Sequence, residues 1–223
     1  MSVTLLIAAA GFAATTYLAV SDHRAANLAR RNLLNECADA LGGAQISHGE
    51  DGFPRLAGFH MGHRIRADLL PDTMTIRRLP QLWLSTTLMA ANSHLPRLAV
   101  LVRPAGTEFY SLTSYLPERF EAPAGFPPHV AIRGDGNAAP LLAELSATLA
   151  EILADPRVKE VAISERGLRI VRQAAEGKRG EYLLLRQSVF ERTVVPLEEF
   201  QTSLENLETL RRITSSHHQA WAA

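Results

Sequence analysis

The strongest pattern along the chain comes first. Val3 to Val20 reads VTLLIAAAGFAATTYLAV, eighteen residues without a charge. That length sits at the lower limit for a helix that spans a bilayer. The run is apolar on all sides rather than striped, unlike a helix that packs on a core by one face. A cleaved signal peptide is the alternative: Ala19-Val20-Ser21 resembles a cleavage site, but no Lys or Arg precedes the run. The expectation is a transmembrane anchor over residues 1–21. Arg24, Arg30 and Arg31 follow it, and positive residues mark the cytoplasmic flank. The expected location is therefore the inner (cytoplasmic) membrane, single-pass, with the folded part in the cytoplasm. The same three arginines are candidates for anionic lipid headgroups, which makes the bilayer an expected partner.

No Pro or Gly interrupts Phe12 to Leu41, and Gly42-Gly43 then reads as a helix stop. Leu34, Cys37, Ala38 and Leu41 fall on one stripe at helical spacing. Residues 22–43 are thus expected to form a juxtamembrane helix that continues the anchor and docks on the folded domain. Cys37 lies in the stripe, as a buried structural thiol would.

From 44 to 116 the pattern changes to short strands with tight turns, an antiparallel β-rich half. Strands are expected at Ala44–His48, Phe53–His60, His63–Leu69, Met74–Arg78, Leu82–Met89, Arg97–Arg103 and Glu108–Leu112, with a turn at Pro71-Asp72. In the third of these, Ile65, Ala67 and Leu69 alternate with Arg64, Arg66 and Asp68, giving one buried and one charged face. Residues 117–128, PERFEAPAGFPP, read as a connector. Residues 129–213 form an α+β half: a strand at His129–Arg133, a helix at Ala138–Ala154 capped by Asn137, a hairpin of Val158–Ser164 with Leu168–Ala174, a strand at Gly180–Val189, and a helix from Pro196 with Leu197, Phe200, Leu204 and Leu207 on one face. Residues 214–223 read as a mobile tail. The fold class is α+β: a transmembrane helix running into a juxtamembrane helix, a strand-rich first half, and a strand-helix-strands-helix second half.

Composition narrows the function classes. The 23 basic residues are balanced by 23 acidic ones, so the surplus typical of nucleic-acid binders is absent and no nucleic-acid partner is expected. A single cysteine excludes an intrachain disulfide. No Gly-x-Ser-x-Gly elbow is present, Gly177-Lys178-Arg179-Gly180 lacks the features of a phosphate loop, and no dinucleotide fingerprint follows a strand. No cofactor and no catalytic residue are expected. His60 and His63 flank a two-residue turn and can meet across the strands, with His48 and Asp68 nearby in sequence; they are the candidate metal ligands, short of a full tetrahedral set. Arg77, Arg78 and Trp83 combine the residue types that most often anchor protein partners, with a core position for Trp83 as the alternative. Arg133-Gly134-Asp135 is expected to be a turn before a helix.

Three pieces, Leu41-Gly42-Gly43, Val130 to Asp135 (VAIRGD) and the Leu-rich helix Leu141 to Leu153, occur here in the order seen in a family of uncharacterised bacterial membrane-tethered α+β proteins. The chain resembles that family over most of its length. The resemblance implies the anchor and the α+β layout and brings no activity with it. The functional expectation is a membrane-anchored, non-enzymatic accessory or scaffold protein whose cytoplasmic domain binds a partner, as a subunit of a larger membrane protein complex. The alternatives are a metal-assisted hydrolase using His60 and His63, and an inner-leaflet lipid-binding protein.

Overall fold

The computed structural model describes residues 3–73, 79–90, 95–180, 190, 192 and 194–221. Its frame is one nine-stranded sheet in which every neighbouring pair is antiparallel. The strands are β1 (Gly42–His48), β2 (Pro54–His60), β3 (His63–Asp72), β4 (Gln81–Met89), β5 (Leu98–Val102), β6 (Glu118–Phe120), β7 (Val130–Gly134), β8 (Val158–Ser164) and β9 (Gly167–Glu176), in the spatial order β1-β2-β3-β4-β9-β8-β5-β7-β6. The first four make the expected meander. The pairing of β4 with β9 joins both halves of the sequence into the same sheet, and β6 forms inside the stretch read as a connector.

Period-two alternation decides which side of the sheet holds the core. Ile65, Ala67 and Leu69 of β3, Leu84 and Leu88 of β4, and Leu168 and Ile170 of β9 all point to one side and are buried. Helix α2 (Ala139–Leu153) covers that side with Leu141, Leu142, Leu145, Leu149 and Ile152. Helix α3 (Leu197–Trp221) packs beside it through Phe200, Leu204, Leu207 and Leu210. The stripe Leu34, Cys37 and Leu41 is buried in the same core, so the expected docking of this segment is observed. Val195 donates its backbone N–H to the Leu33 carbonyl at 2.7 Å, and the Cys37 thiol points at the Val195 carbonyl at 3.5 Å. Burial, with a smaller push from the Glu36 charge, raises the Cys37 thiol to about 12, so it is an inert structural thiol.

The N-terminal expectation is overturned. Helix α1 (Val3–Arg31) is 29 residues long, yet among the described residues no helix is long and apolar enough to cross a membrane. The transmembrane anchor, the juxtamembrane continuation and the single-pass inner-membrane location fall with it. The reason lies in the composition of the run. Of residues 3–20 only seven (Val3, Leu5, Leu6, Ile7, Phe12, Leu18 and Val20) carry large apolar side chains; the others are Ala, Gly, Thr and Tyr. The Thr15 and Thr16 hydroxyls fold back on helix carbonyls. The helix also ends at Arg31 rather than at Leu41. The chain then turns through a short 3-10 segment, Glu36–Ala40, and Gly42-Gly43 opens β1 instead of stopping a helix.

Several smaller expectations differ as well. The Pro71-Asp72 turn is the end of β3, because both residues keep pairing with β4. Glu108–Leu112 is not a strand. The N-cap position of α2 is Ala138, whose N–H reaches the Asp135 carbonyl at 2.9 Å, and no side chain caps the helix. Asp135 instead accepts from the Arg97 backbone N–H at 2.9 Å and from its guanidinium, which fixes the Arg133-Gly134-Asp135 turn before α2. Residues read as a tail from 214 continue α3 through Trp221. The expected strands Met74–Arg78 and Gly180–Val189 fall on 74–78 and 181–189, outside the described residues.

Among the side chains described, the core begins at Leu33, whereas Val3, Ile7, Phe12 and Leu18 are exposed. Deleting residues 1–21 is therefore expected to leave a cooperative urea transition with its midpoint nearly unchanged. A truncated chain that loses the transition would show that α1 is part of the core.

Candidate functional site

The sheet face opposite the helices is polar at its margins and partly covered by one segment, residues 104–116, here called the strap. Two small apolar clusters seat it: Trp83, Tyr110 and Val171 with Leu70, and Ala99, Leu116 and Ala162 with Leu112. What fixes it is charge. Strand β8 contains Lys159 and Glu160 in succession, which in a regular strand would point to opposite faces. The β8–β9 register shifts between Val158 and Glu160. With Val158 and Val161 both in the helix-side core, the bulge turns Lys159 and Glu160 together toward the strap.

Each then meets a partner from the strap. Lys159 forms a buried ion pair with Glu108 at 2.8 Å and donates to the Arg103 carbonyl at 2.6 Å. Its ammonium also lies 5.9 Å from the centroid of the Trp83 ring. Glu108 accepts from the backbone N–H groups of Ala105 at 2.7 Å and Gly106 at 2.9 Å. Glu160, fully buried, accepts from the Ser111 hydroxyl at 2.5 Å, the Leu112 N–H at 3.0 Å and the Arg169 guanidinium at 2.6 Å. Arg169 also donates to the Tyr110 carbonyl at 2.8 Å. Both carboxylates are thus fully engaged in holding the strap. Burial alone would push the Glu108 carboxyl up, but the bond from Lys159, the Ala105 N–H and the Lys159 charge outweigh it and hold the group below its ordinary value. Burial, together with the charges of Glu108, Glu160 and Asp72, pushes the Tyr110 hydroxyl well above its usual range.

Between the strap and β7 lies a groove of about 520 Å³, lined by Leu101, Pro104, Phe109, Ala131 and Arg133 among others. Its volume is in the range of small-molecule and side-chain pockets. The Phe109 ring packs edge-on against Tyr110 at 5.3 Å and remains 57% exposed; Tyr115, also on the strap, is 73% exposed. Large aromatics this open are the residue type that anchors partners.

The residues singled out in the sequence are scattered. Trp83 is only 8% exposed, a position inside the fold rather than on an accessible surface. Its Nε1, the Tyr110 hydroxyl and Asp72 Oδ1 are buried without a hydrogen-bond partner among the described residues. Arg77 and Arg78 lie outside the described residues. His60 and His63 do sit opposite each other across the β2–β3 hairpin. Among the described residues, however, no group of three or more His, Cys, Asp or Glu side chains could hold a metal ion. Arg30 stacks over Phe53 at 4.8 Å and donates to the Asp51 carbonyl at 3.4 Å, so it is drawn into the fold; Arg31 is exposed, and Arg24 lies within α1.

Sequence reasoning missed Glu108, Phe109, Lys159, Glu160 and Arg169. One signal was present: two consecutive charges inside the apolar run of β8, Val158-Lys159-Glu160-Val161, break strand alternation as a bulge does. No protein-family model matches the chain, and no curated protein matches it.

The Glu108–Lys159 pair sets an expected pH response. A carboxyl held below its ordinary value contributes stability that is present above the unfolded-state value and is lost as pH falls through the folded one. The urea midpoint is expected to stay level down to about pH 5 and to drop below about pH 4. Glu108→Gln is expected to lower the midpoint at neutral pH and to flatten the acid limb. An unchanged acid limb in that variant would show that the pair does not form.

Proposed function

We propose that this chain is a non-enzymatic accessory or scaffold protein whose folded domain binds a protein partner, with the strap and its groove as the contact surface. The observation that carries the reading is the groove itself. It is lined mainly by apolar groups and includes the exposed Phe109, with exposed Tyr115 elsewhere on the same strap, and the strap is held from below by the buried Lys159–Glu108 pair and by the Ser111 and Leu112 bonds to Glu160. A rigid, preorganised surface loses little entropy when a partner docks. The chemistry of the site favours binding over turnover. Glu108 and Glu160 are saturated with donors, and the Ser111 hydroxyl is spent on Glu160, so none is poised as a base or nucleophile.

The test compares variants of the tagged full chain for capture of one partner, identified from the native chain by mass spectrometry. Phe109→Ser with Tyr115→Ser is expected to abolish capture of that partner while changing folding stability by less than about 1 kcal/mol. His60→Ala with His63→Ala is expected to leave capture intact. Retained capture by the aromatic pair variant, or a hydrolytic activity that disappears with the histidine pair, would overturn the proposal.

A further inference from the structure

The β6–β7 ladder places Arg119 directly opposite Arg133. Their neighbours Phe120 and Ile132 pack toward the helix-side core, so the two guanidiniums share the other face, the face of the groove. Like charges in directly opposed positions repel and cost stability unless an anion lies between them. Among the described residues no carboxylate forms an ion pair with either arginine. Glu118, the nearest acid in sequence, points away: a Cβ on Gly136 would stand 2.7 Å from its carboxylate oxygen. The groove's own carboxylate, Glu108, is spent on Lys159 and two backbone N–H groups. Arg133 lines the groove and has only long contacts, 3.5 Å to the Leu116 carbonyl and 3.4 Å to that of Pro117. Arg119 is exposed. Arg133 in the groove wall and Arg119 beside it thus present two positive charges with which no described carboxylate forms an ion pair.

We propose that the groove binds an acidic, apolar peptide segment, with a carboxylate taken by Arg119 and Arg133 and flanking large apolar side chains received by Leu101, Pro104, Phe109 and Ala131. This deepens the partner-binding reading and rests on it. The carboxylate relieves the repulsion between the two arginines, and guanidiniums match a carboxylate with paired N–H donors. An inorganic anion would use the arginine pair and leave the apolar wall idle, whereas a peptide segment uses both.

The probes are capped five-residue peptides with a central glutamate flanked by leucine, isoleucine or phenylalanine, and the same peptides with glutamine at the centre. Binding to the full chain is read by fluorescence polarisation. The glutamate peptides are expected to bind, and their glutamine counterparts to bind about 10-fold or more weakly, as loss of a charge-assisted contact implies. Arg119→Gln, at an exposed position, is expected to erase that preference without lowering the melting temperature, since it removes one of two repelling charges. Phe109→Ala is expected to weaken both peptide sets alike. The proposal is overturned if no glutamate peptide binds, if glutamate and glutamine peptides bind equally, or if the Arg119→Gln variant keeps the preference. Should partner capture still depend on Phe109 and Tyr115 in that case, the partner-binding reading stands and only the acidic chemistry assigned to the partner falls.

Discussion

The β8 bulge is the constraint on which the rest of the second face depends. Without it, Lys159 and Glu160 would point to opposite sides, and one charge would be driven into the helix-side core among Val158, Val161 and Leu145. With it, two adjacent opposite charges face the strap and find complementary partners there: Glu108 for Lys159, and Ser111 and the Leu112 N–H for Glu160. The groove follows, because its wall from Pro104 to Phe109 stands where the Glu108 attachment holds it.

Buried ion pairs are weak evidence for added stability, since the cost of taking both charges from water can match their attraction. Their structural consequence here is selection of one position for the strap. Separating the partners of a buried pair costs about 3–5 kcal/mol, so alternative strap positions that break the Lys159–Glu108 pair are excluded. Apolar contacts alone would not discriminate in this way. The packing of Leu112 and Leu116 on Ala99 and Ala162 is non-directional, whereas the carboxylate of Glu160 takes two strap donors, the Ser111 hydroxyl and the Leu112 N–H, at fixed points.

The helix-side core was legible in the sequence because its signals are periodic. Alternation in β3, the leucine stripe of α2, and the Leu34-Cys37-Leu41 stripe each identify a buried face without reference to anything distant. The charge-free run from Val3 to Val20 misled for the opposite reason: freedom from charge was read as a strong membrane signal, although alanine and threonine supply much of its length. The candidate site was nearly illegible. Glu108 is 51 residues from Lys159 and Ser111 is 49 from Glu160, and nothing local in 104–116 announces that the segment lies on a sheet instead of pairing within it. The Arg119–Arg133 pair depends on a three-residue strand inside what reads as a proline-rich connector. Such sites are set by register between distant strands, which single-residue patterns do not encode.

The central claim is that buried carboxylates fix the strap. Amide hydrogen exchange tests it at three backbone groups, the N–H of Ala105 and Gly106 bound to Glu108 and the N–H of Leu112 bound to Glu160. The account predicts that all three are protected in the native chain. It also predicts that Glu160→Gln accelerates exchange at Leu112 by about 100-fold, as loss of a buried charge partner implies, while the amides of β3 keep their protection. Exchange of the three strap amides at unprotected rates in the native chain, or an unaltered Leu112 rate in the Glu160→Gln variant, would contradict it.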